Sequence, residues 1–268
     1  MQYKMLAIDM DDTLLSDDLT ISKENQEAIQ KAIKKGVKIV LCSGRASVAL
    51  YSYLEQLNLK KDDEYAISYN GAITFKTKSL EIINQKNIKK EYAKYLFEFA
   101  KKENIYAQTY QGDYLFVEKA NEYTKEYKRL TGMDYIEVGD LSEWVKEDIV
   151  KILFQGENKK LIKIKEKLEP WVREKLHMFI SKPFYLEFTN INTNKGLALR
   201  DLRKRLGFKK EEVACIGDSF NDLYMIEEAH LGVAVANAHP EIKKRADYIT
   251  KNDNNHGAVK EIIEKFIL

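Results

Sequence analysis

Two aspartates stand two positions apart near the start of the chain, directly after an apolar run. The run is Met5-Leu6-Ala7-Ile8, and the aspartates are Asp9 and Asp11. A short apolar run predicts a buried strand, and alternate residues of a strand point to the same side. Two like charges held together at the end of a buried strand are costly unless a cation or a reaction requires them. The pattern therefore predicts a reactive site that binds a metal ion through oxygen ligands.

Three further segments carry polar groups where an apolar run ends or a helix begins. They are Cys42-Ser43-Gly44-Arg45, Asn194-Lys195-Gly196 and Gly217-Asp218-Ser219-Phe220-Asn221-Asp222. The first supplies a hydroxyl, the second supplies a lone cation, and the third supplies a second group of carboxylates. Because open α/β sheets bind their ligands at the carboxyl ends of the strands, we expect these groups to lie near the two aspartates.

Taken in order, an aspartate pair, a hydroxyl, a lysine and an acidic cluster resemble the haloacid-dehalogenase-like (HAD) phosphohydrolase superfamily. The Gly-Asp-x-x-Asn-Asp form of the last motif, with a large insertion before the lysine, resembles the Cof-type sugar-phosphatase branch with a type IIB cap. The resemblance spans the whole chain, and the ordered set is far more specific than any single motif. It implies an enzyme that hydrolyses small phosphorylated metabolites, sugar phosphates foremost, with Mg²⁺ as cofactor.

The resemblance also implies a role for each motif residue. Asp9 would be the nucleophile that forms an aspartyl-phosphate, and Asp11 would protonate the leaving oxygen and then deprotonate the attacking water. The third catalytic residue would be Lys195, a positive charge beside Asp9 and the phosphate. Phosphate or substrate would be bound by Ser43, Gly44, Arg45, Asn70, Gly71, Lys195 and Asn221. The metal ligands would be Asp9, Asp11 through its backbone carbonyl, and Asp218, with Asn221 and Asp222 surrounding them.

Each of these residues also has an interpretation without chemistry. Paired aspartates can end a strand and cap a helix, Ser43 can be a turn hydroxyl, and Lys195 can be a solvated first-turn lysine. Asn70-Gly71 is a common turn, and the lysine-rich run from 159 to 167 is interpreted as a solvated helix face. The order of the motifs favours the chemical interpretation. Asp12 departs from the family pattern, in which glycine is commoner, and is interpreted as a variant that adds charge near the site.

The remaining pattern divides the chain into a split core and an insertion. Strands and helices alternate from Met5 to Tyr69 and again from Lys195 to Leu268, which predicts parallel strands joined by helices. Residues 85–189 instead show helices and hairpins. The sequence therefore predicts the α/β class, with a Rossmann-like parallel-sheet core formed by residues 1–84 and 190–268 and an inserted α+β cap domain formed by residues 85–189.

The resemblance adds two expectations about these domains. The strand of Asp9 would lie between the strands that precede Ser43 and Asp218, so that the motifs converge. The cap would close over the site and select the leaving group, and aromatic residues around Tyr110, Tyr114 and Tyr185 are expected to influence substrate ranking.

Composition restricts the partners and the compartment. The net charge of +2 gives no strong attraction to nucleic acid or membranes, and no apolar run approaches the roughly 18 residues of a membrane span. The two cysteines, Cys42 and Cys215, fall in predicted core strands, so a disulfide framework is not expected. The start Met1-Gln2-Tyr3-Lys4 runs straight into the first predicted strand, so we expect no signal peptide. We therefore expect a cytoplasmic monomer or weak homodimer whose partner is a small phosphorylated metabolite.

Two other functions remain open at this point. A phosphomutase would keep the aspartyl-phosphate and return the phosphoryl group to its substrate, although mutases of the superfamily usually carry a different, shorter cap. A non-catalytic phospho-ligand sensor on the same scaffold would be expected to lack a catalytic group, and none is missing. A dehalogenase would need neither Asp11 nor the acidic metal cluster.

Overall fold

The computed structural model describes residues 3–268, and the predicted amino-terminal lead Met1-Gln2 lies outside the described residues. The chain divides into two compact units, Met1–Asn84 with Asn194–Leu268 and Gln85–Thr193. The second boundary lies four residues beyond the predicted one. The last strand of the inserted unit runs to Asn190, whose side-chain amide donates a hydrogen bond to the Asn87 carbonyl at 2.6 Å. This bond ties the end of the insertion to its beginning.

Strands and helices alternate in the first part of the core. The elements are β1 Met5–Asp9, α1 Lys23–Lys34, β2 Lys38–Cys42, α2 Tyr51–Gln56, β3 Tyr65–Ser68, β4 Ile73–Lys76 and β5 Ile82–Gln85. Ser22 caps α1, because its hydroxyl accepts a hydrogen bond from the Asn25 amide at 3.2 Å. After Ala46 the chain forms a 3-10 turn, Ser47–Leu50, which the short α2 follows directly.

The inserted unit combines a six-stranded sheet with helices. Its elements are α3 Lys90–Lys102, β6 Tyr106–Gln111, β7 Tyr114–Val117, α4 Glu122–Thr131, β8 Asp134–Glu137, α5 Leu141–Trp144, β9 Ile152–Gln155, α6 Asn158–Val172, β10 Leu176–Lys182 and β11 Tyr185–Asn190. The strand order is β10-β11-β9-β6-β7-β8. Ile152, Phe154 and Phe188 from the sheet share a buried core with Leu96 and Leu161 from the helices. This unit has its own hydrophobic core.

The remaining elements complete the core unit. They are α7 Lys195–Arg205, β12 Val213–Gly217, α8 Leu223–Glu228, β13 Leu231–Ala234, α9 Pro240–Lys243, β14 Tyr248–Ile249, α10 Ala258–Ile262 and a final π-helical turn, Ile263–Ile267. The core sheet has the order β14-β13-β12-β1-β2-β3-β4-β5. Its strands pair in parallel from β14 to β3.

Two features of this sheet bear on the predictions. Strand β1 pairs with β12 on one side and β2 on the other, which confirms the predicted neighbours of the Asp9 strand. Every residue of β1 is buried, as expected of a central parallel strand covered on both faces. The two strands after β3 were not predicted, and β4 runs antiparallel to β3, so the sheet is mixed at that edge.

Candidate active site

A turn, Met10–Leu14, follows β1 at the carboxyl end of that strand, and the backbone of Asp11 and Asp12 within it is not helical. Asp9 ends the strand and is almost fully buried. Asp12 has a left-handed φ of 58°, a conformation that aspartate tolerates better than most residues and that glycine adopts freely. The backbone therefore explains why a short polar residue can stand where glycine is commoner. The Asn237 side chain donates to the Asp12 carbonyl at 2.7 Å and holds the turn.

Lys195 lies between two buried carboxylates. Its ammonium donates hydrogen bonds to Asp9 Oδ1 and to Asp222 Oδ1, the second at 2.7 Å, and the side chain is fully buried. It begins helix α7, which Asn194 caps by accepting a hydrogen bond from the Leu197 amide at 2.7 Å. The two carboxylates raise the pKa of Lys195 above its ordinary value although burial opposes this, so the lysine is a permanent cation.

The acidic loop after β12 folds back on itself through Asp222. Asp222 Oδ2 accepts hydrogen bonds from the backbone amides of Asp218 at 3.0 Å and Ser219 at 3.1 Å. A Cβ atom at Gly217 would collide with the Asp222 carboxyl group, so this fold requires glycine there. Since Lys195 occupies its other oxygen, Asp222 acts chiefly by shaping the loop and holding the lysine.

The carboxylates of Asp9, Asp218 and Asp222 could bind a divalent metal. One oxygen from each lies within 4.8 Å of the others, and no other such group of three occurs within residues 3–268. Burial, followed by the charge of Asp222, raises the pKa of Asp9 well above its ordinary value and that of Asp218 to about 7. Of these three carboxylates two are buried, and Lys195 supplies only one positive charge against them. A hard divalent cation with oxygen ligands would supply the missing positive charge. The residues present fit such an ion, with Asp9 and Asp218 less engaged by protein donors than Asp222.

Asp11 is not part of this acidic group. Its carboxylate forms a two-pronged ion pair with Arg45, in which Arg45 Nε lies 2.9 Å from Oδ2 and 3.1 Å from Oδ1. The Asp11 side chain is 45% exposed, whereas that of Arg45 is 19% exposed. The sequence predicts that Arg45 binds phosphate or substrate. In the structure its guanidinium instead contacts Asp11, the predicted acid and base. The role of the Asp11 carbonyl as a metal ligand stays a prediction.

The loops after β2, β3 and β12 meet at Asn70. The Asn70 amide donates to the Ser43 carbonyl at 2.9 Å, and Asn70 Oδ1 accepts a hydrogen bond from Asn221 Nδ2 at 3.0 Å. A Cβ atom at Gly44 would lie 2.9 Å from Asn70 Oδ1, so the two loops are in close contact. These bonds bring predicted substrate-binding residues from three separate motifs into one cluster. The hydroxyl of Ser43 accepts a hydrogen bond from the Arg45 amide at 3.1 Å.

The loop at Asn70 is strained. Tyr69, Asn70 and Gly71 are three consecutive left-handed residues, with φ values of 50°, 55° and 98°. Such conformations cost about 1–3 kcal/mol for a residue other than glycine and persist where the surroundings enforce them. A Cβ atom at Gly71 would collide with the Asn194 carbonyl, so the turn packs directly on the start of the Lys195 helix.

Two residues that the sequence reasoning did not assign belong to the site. Thr13 is fully buried and donates a hydrogen bond to Asp218 Oδ1 at 3.2 Å, and Asn194 caps the lysine helix. Asparagine directly before a helical pattern is a cap signal, so Asn194 could have been predicted. Nothing local to Thr13 shows that it reaches Asp218, which is distant in sequence.

The aromatic residues considered in the inserted unit have different environments. Tyr110 is 1% exposed and Tyr185 is also buried, and both rings lie 6.0 Å from that of Tyr127. Tyr114 is 48% exposed. Packing within the unit encloses Tyr110 and Tyr185, whereas Tyr114 is open to solvent. The expected influence of these residues on substrate ranking stays a prediction.

Comparisons with known proteins agree with this geometry. A sequence model of haloacid dehalogenase-like hydrolases matches residues 6–262. The 5-amino-6-(5-phospho-D-ribitylamino)uracil phosphatase YcsE of Bacillus subtilis (strain 168) is 31% identical over 265 residues, which cover 97% of this chain and 94% of that protein. The crystal structure of a haloacid dehalogenase-like hydrolase from Bacteroides thetaiotaomicron is 31% identical and has a TM-score of 0.92, covering 99% of this chain and 100% of that one.

A further solved structure concerns the fold alone. The HAD subclass IIB sugar phosphatase BT4131 has a TM-score of 0.83 at 24% identity and covers 98% of each chain. The described residues include no helix that is both long enough and apolar enough to cross a membrane.

Proposed function

Because the chain belongs to the haloacid dehalogenase-like hydrolase family, we propose that it is a Mg²⁺-dependent phosphatase of small phosphorylated metabolites, sugar phosphates foremost. The observation that carries the proposal is the buried Asp9 carboxylate, held by Lys195 beside Asp218 at the end of β1. An anionic nucleophile next to a permanent cation and a metal-binding carboxylate suits attack on a phosphate ester.

Asp9 begins the reaction. Its carboxylate oxygen attacks phosphorus, and the ester bond between phosphorus and the leaving oxygen breaks, so that an aspartyl-phosphate forms. Burial raises the pKa of Asp9, and Lys195 opposes that rise and places a positive charge where the phosphoryl oxygens would arrive. Ser43, the neighbouring amides and the Asn70 cluster would orient those oxygens.

Asp11 completes both halves of the reaction. In its acid form it gives its proton to the leaving oxygen. The resulting carboxylate then takes a proton from a water molecule, whose oxygen attacks phosphorus, releases inorganic phosphate and regenerates Asp9. Such acid and base catalysis typically contributes about 10²–10⁴ in rate. The partial exposure of the Asp11 side chain supports this role, because a proton carrier needs access to water and to the leaving group.

The metal would be held by Asp9 and Asp218, with the Asp11 carbonyl as a further oxygen ligand and with Asn221 and Asp222 around it. When bound, Mg²⁺ would offset the repulsion between the carboxylate nucleophile and a phosphate dianion. The all-oxygen donor set supports Mg²⁺ or Mn²⁺ rather than Zn²⁺, since neither histidine nor cysteine is in the acidic group.

The inserted unit is assigned the selection of the leaving group. In this proposal the core unit handles the phosphoryl group, and the insertion closes over the site and discriminates among metabolites. The names of YcsE and BT4131 support a small phosphorylated compound as substrate, since one names a phosphoribitylamino-uracil and the other a sugar phosphatase. The two free, buried cysteines support action in the cytoplasm, and we expect a monomer or weak homodimer.

The test is release of inorganic phosphate from a panel of phosphorylated sugars, nucleotides and cofactors, with p-nitrophenyl phosphate as a generic substrate. We expect turnover that EDTA abolishes and Mg²⁺ restores. Full turnover in chelator would remove the metal from the proposal. A phosphomutase would transfer phosphate between positions of a sugar with little free phosphate, and a sensor would release none.

A further inference from the structure

The two-pronged ion pair between Arg45 and Asp11 has the geometry of an orienting contact. A planar guanidinium that engages both oxygens of a carboxylate fixes the rotation of that carboxylate as well as its position. Here Arg45 Nε contacts both Asp11 oxygens and Arg45 Nη2 contacts Oδ1. Arg45 Nε and Nη2 therefore fix both the position and the rotation of the Asp11 carboxylate.

The backbone of Arg45 is itself fixed on both sides. Its amide donates to the Ser43 hydroxyl at 3.1 Å, and its carbonyl accepts a hydrogen bond from the Tyr69 amide at 2.9 Å. The guanidinium therefore projects from an anchored point in the loop after β2. An arginine anchored in this way sets a definite direction for its partner.

Tyr53 extends the contact to an exposed turn. Its ring lies 5.8 Å from the Arg45 guanidinium carbon, a cation–π distance, and its hydroxyl donates to the Leu19 carbonyl at 3.0 Å. Leu19 has a left-handed φ of 62° in a turn closed by the hydrogen bond from the Ser16 amide to the Thr20 carbonyl. A continuous chain of contacts therefore runs from this turn through Tyr53 and Arg45 to Asp11.

We propose that Arg45 is a positioning residue that holds the Asp11 carboxylate in the direction needed for proton transfer, and that Tyr53 holds Arg45. The inference rests on the proposed phosphatase function and assigns Arg45 to the acid and base rather than to the phosphate. Loss of Arg45 should therefore impair the proton transfer far more than the binding of substrate.

The leaving group distinguishes these two effects. Nitrophenolate departs with little protonation, whereas a sugar alkoxide departs only if it is protonated. We expect Arg45→Ala to lower kcat on the best sugar phosphate by about 10²-fold, the typical contribution of a positioned acid. The loss on p-nitrophenyl phosphate should be much smaller, with KM nearly unchanged on both substrates. Arg45→Lys should recover part of the loss, because one charged donor is restored without the planar fork.

Two further measurements separate positioning from a structural role. In the double variant Arg45→Ala/Asp11→Asn, the Arg45 change should cause almost no additional loss on the sugar phosphate, because both changes remove the same function. Tyr53→Phe keeps the ring and deletes the hydroxyl, so it should show a weaker loss with the same dependence on leaving group.

Matched controls lie elsewhere in the core unit. Arg203 pairs with Glu228 and is 14% exposed, close to the exposure of Arg45, and the Tyr248 hydroxyl donates to Glu261. Arg203→Ala and Tyr248→Phe should leave the kinetics of both substrates unchanged. Thermal unfolding of all variants identifies any that have lost the fold.

Defined outcomes would overturn the inference. A higher KM on both substrates at unchanged kcat would show that Arg45 binds the phosphate, and equal losses of kcat on both would show no link to proton transfer. Tyr53→Phe with wild-type kinetics would remove Tyr53 from the chain of contacts. Absence of turnover by the wild-type enzyme would overturn the phosphatase proposal and this inference together, whereas turnover with an undiscriminating Arg45→Ala would overturn the inference alone.

Discussion

At the scale of single residues, the site consists of three neighbouring carboxylates, Asp9, Asp218 and Asp222, and the buried ammonium of Lys195, which pairs with two of them. Breaking a buried ion pair by removing one partner typically costs about 3–5 kcal/mol, because the remaining charge is left uncompensated. Lys195 serves both Asp9 and Asp222, so it supports the nucleophile and the fold of the acidic loop at once. A substitution of Lys195 would therefore affect catalysis and stability together. Substitutions of the aspartates can separate the two effects.

The first prediction separates the two catalytic aspartates by their chemistry. Asp9→Asn should remove turnover of every substrate and any trapped phosphoenzyme, because it removes the nucleophile. Asp11→Asn keeps the nucleophile but lacks the proton carrier, so sugar phosphates should lose far more rate than p-nitrophenyl phosphate. Steady-state kinetics and acid-quenched phosphoenzyme measurements check both. Equal losses by Asp11→Asn on the two substrates would contradict its assignment.

The second prediction concerns stability in EDTA. The pKa of Asp218 is about 7 in the folded chain against 3.8 ordinarily, so between these values the folded state binds more protons than the unfolded state. Its contribution to the free energy of unfolding therefore falls as the pH rises from 4 towards 7. Urea unfolding should show this fall in the wild type and a flatter profile in Asp218→Asn.

The same pair of proteins tests the metal site. Saturating Mg²⁺ should raise the melting temperature of the wild type at neutral pH and have little effect on Asp218→Asn, since a ligand stabilises the state that binds it. Asp62→Asn, on an exposed surface of the same unit, serves as the control. If Asp218→Asn and the wild type show the same pH dependence of unfolding and the same response to Mg²⁺, the Asp218 carboxylate is neither the titrating group nor a metal ligand.

At the scale of elements, the site depends on the close packing of the turns that follow the carboxyl ends of the core strands. The turn at Tyr69–Gly71 contacts the Ser43 loop, the start of α7 and the Asn221 loop. Three left-handed residues in succession would not persist without these contacts. Because the turn is kept in spite of its strain, we expect that the position of Asn70 is needed for function.

The third prediction separates the Asn70 side chain from its backbone. Asn70→Gly should keep or slightly raise the free energy of unfolding, because glycine adopts φ 55° freely, but it should weaken Mg²⁺ binding measured by calorimetry and lower activity, because Asn221 loses its acceptor. Asn70→Ala should lose activity and also destabilise the protein by roughly 1 kcal/mol.

Asn104 offers a matched control for this pair. It has a φ of 51° just after α3 in the inserted unit, and it belongs to no proposed site. Asn104→Gly and Asn104→Ala should therefore reproduce the effects on stability without those on Mg²⁺ binding or activity. If Asn70→Gly binds Mg²⁺ and turns over like the wild type, the bond between Asn70 and Asn221 has no functional role.

At the scale of the whole molecule, we propose that one unit carries the phosphoryl chemistry and the other selects the substrate. All the motif residues belong to the unit formed by Met1–Asn84 and Asn194–Leu268. The inserted unit exposes Tyr114 on β7 and encloses an ion pair between Lys151 and Glu187 at 2.7 Å. If the proposed division holds, we expect that the chemistry and the selectivity can be altered independently.

The fourth prediction tests this division. Tyr114→Ala should change the ranking of sugar phosphates by kcat/KM while leaving the rate on p-nitrophenyl phosphate close to that of the wild type, because it alters an exposed side chain far in sequence from the motifs. Tyr106→Ala, a second exposed tyrosine of the same unit, is the matched control. An unchanged ranking in Tyr114→Ala would show that this residue does not select the substrate.

The sequence by itself identified the residues that we propose carry the chemistry and the strands that present them. Alternation along Met5–Asp9 and the apolar runs before Ser43 and Asp218 are local signals, and parallel connections leave few ways to arrange the three strands. The family resemblance followed from motif order, which is also a property of the linear chain. These local signals fix the position of a backbone in the sheet, and hence the side on which a carboxylate emerges.

The tertiary structure alone decided the contacts between those residues. The pairing of Arg45 with Asp11, the bond between Asn70 and Asn221, the fold-back of Asp222 and the burial of Tyr110 all join groups by side-chain direction rather than by position in a strand. Side-chain direction depends on the rotamers and loop conformations that packing permits, and several loops with left-handed residues determine it here. No periodicity in the sequence encodes such contacts. The fold-back of Asp222 is local to one loop, and the others arise between segments that only the tertiary structure brings together.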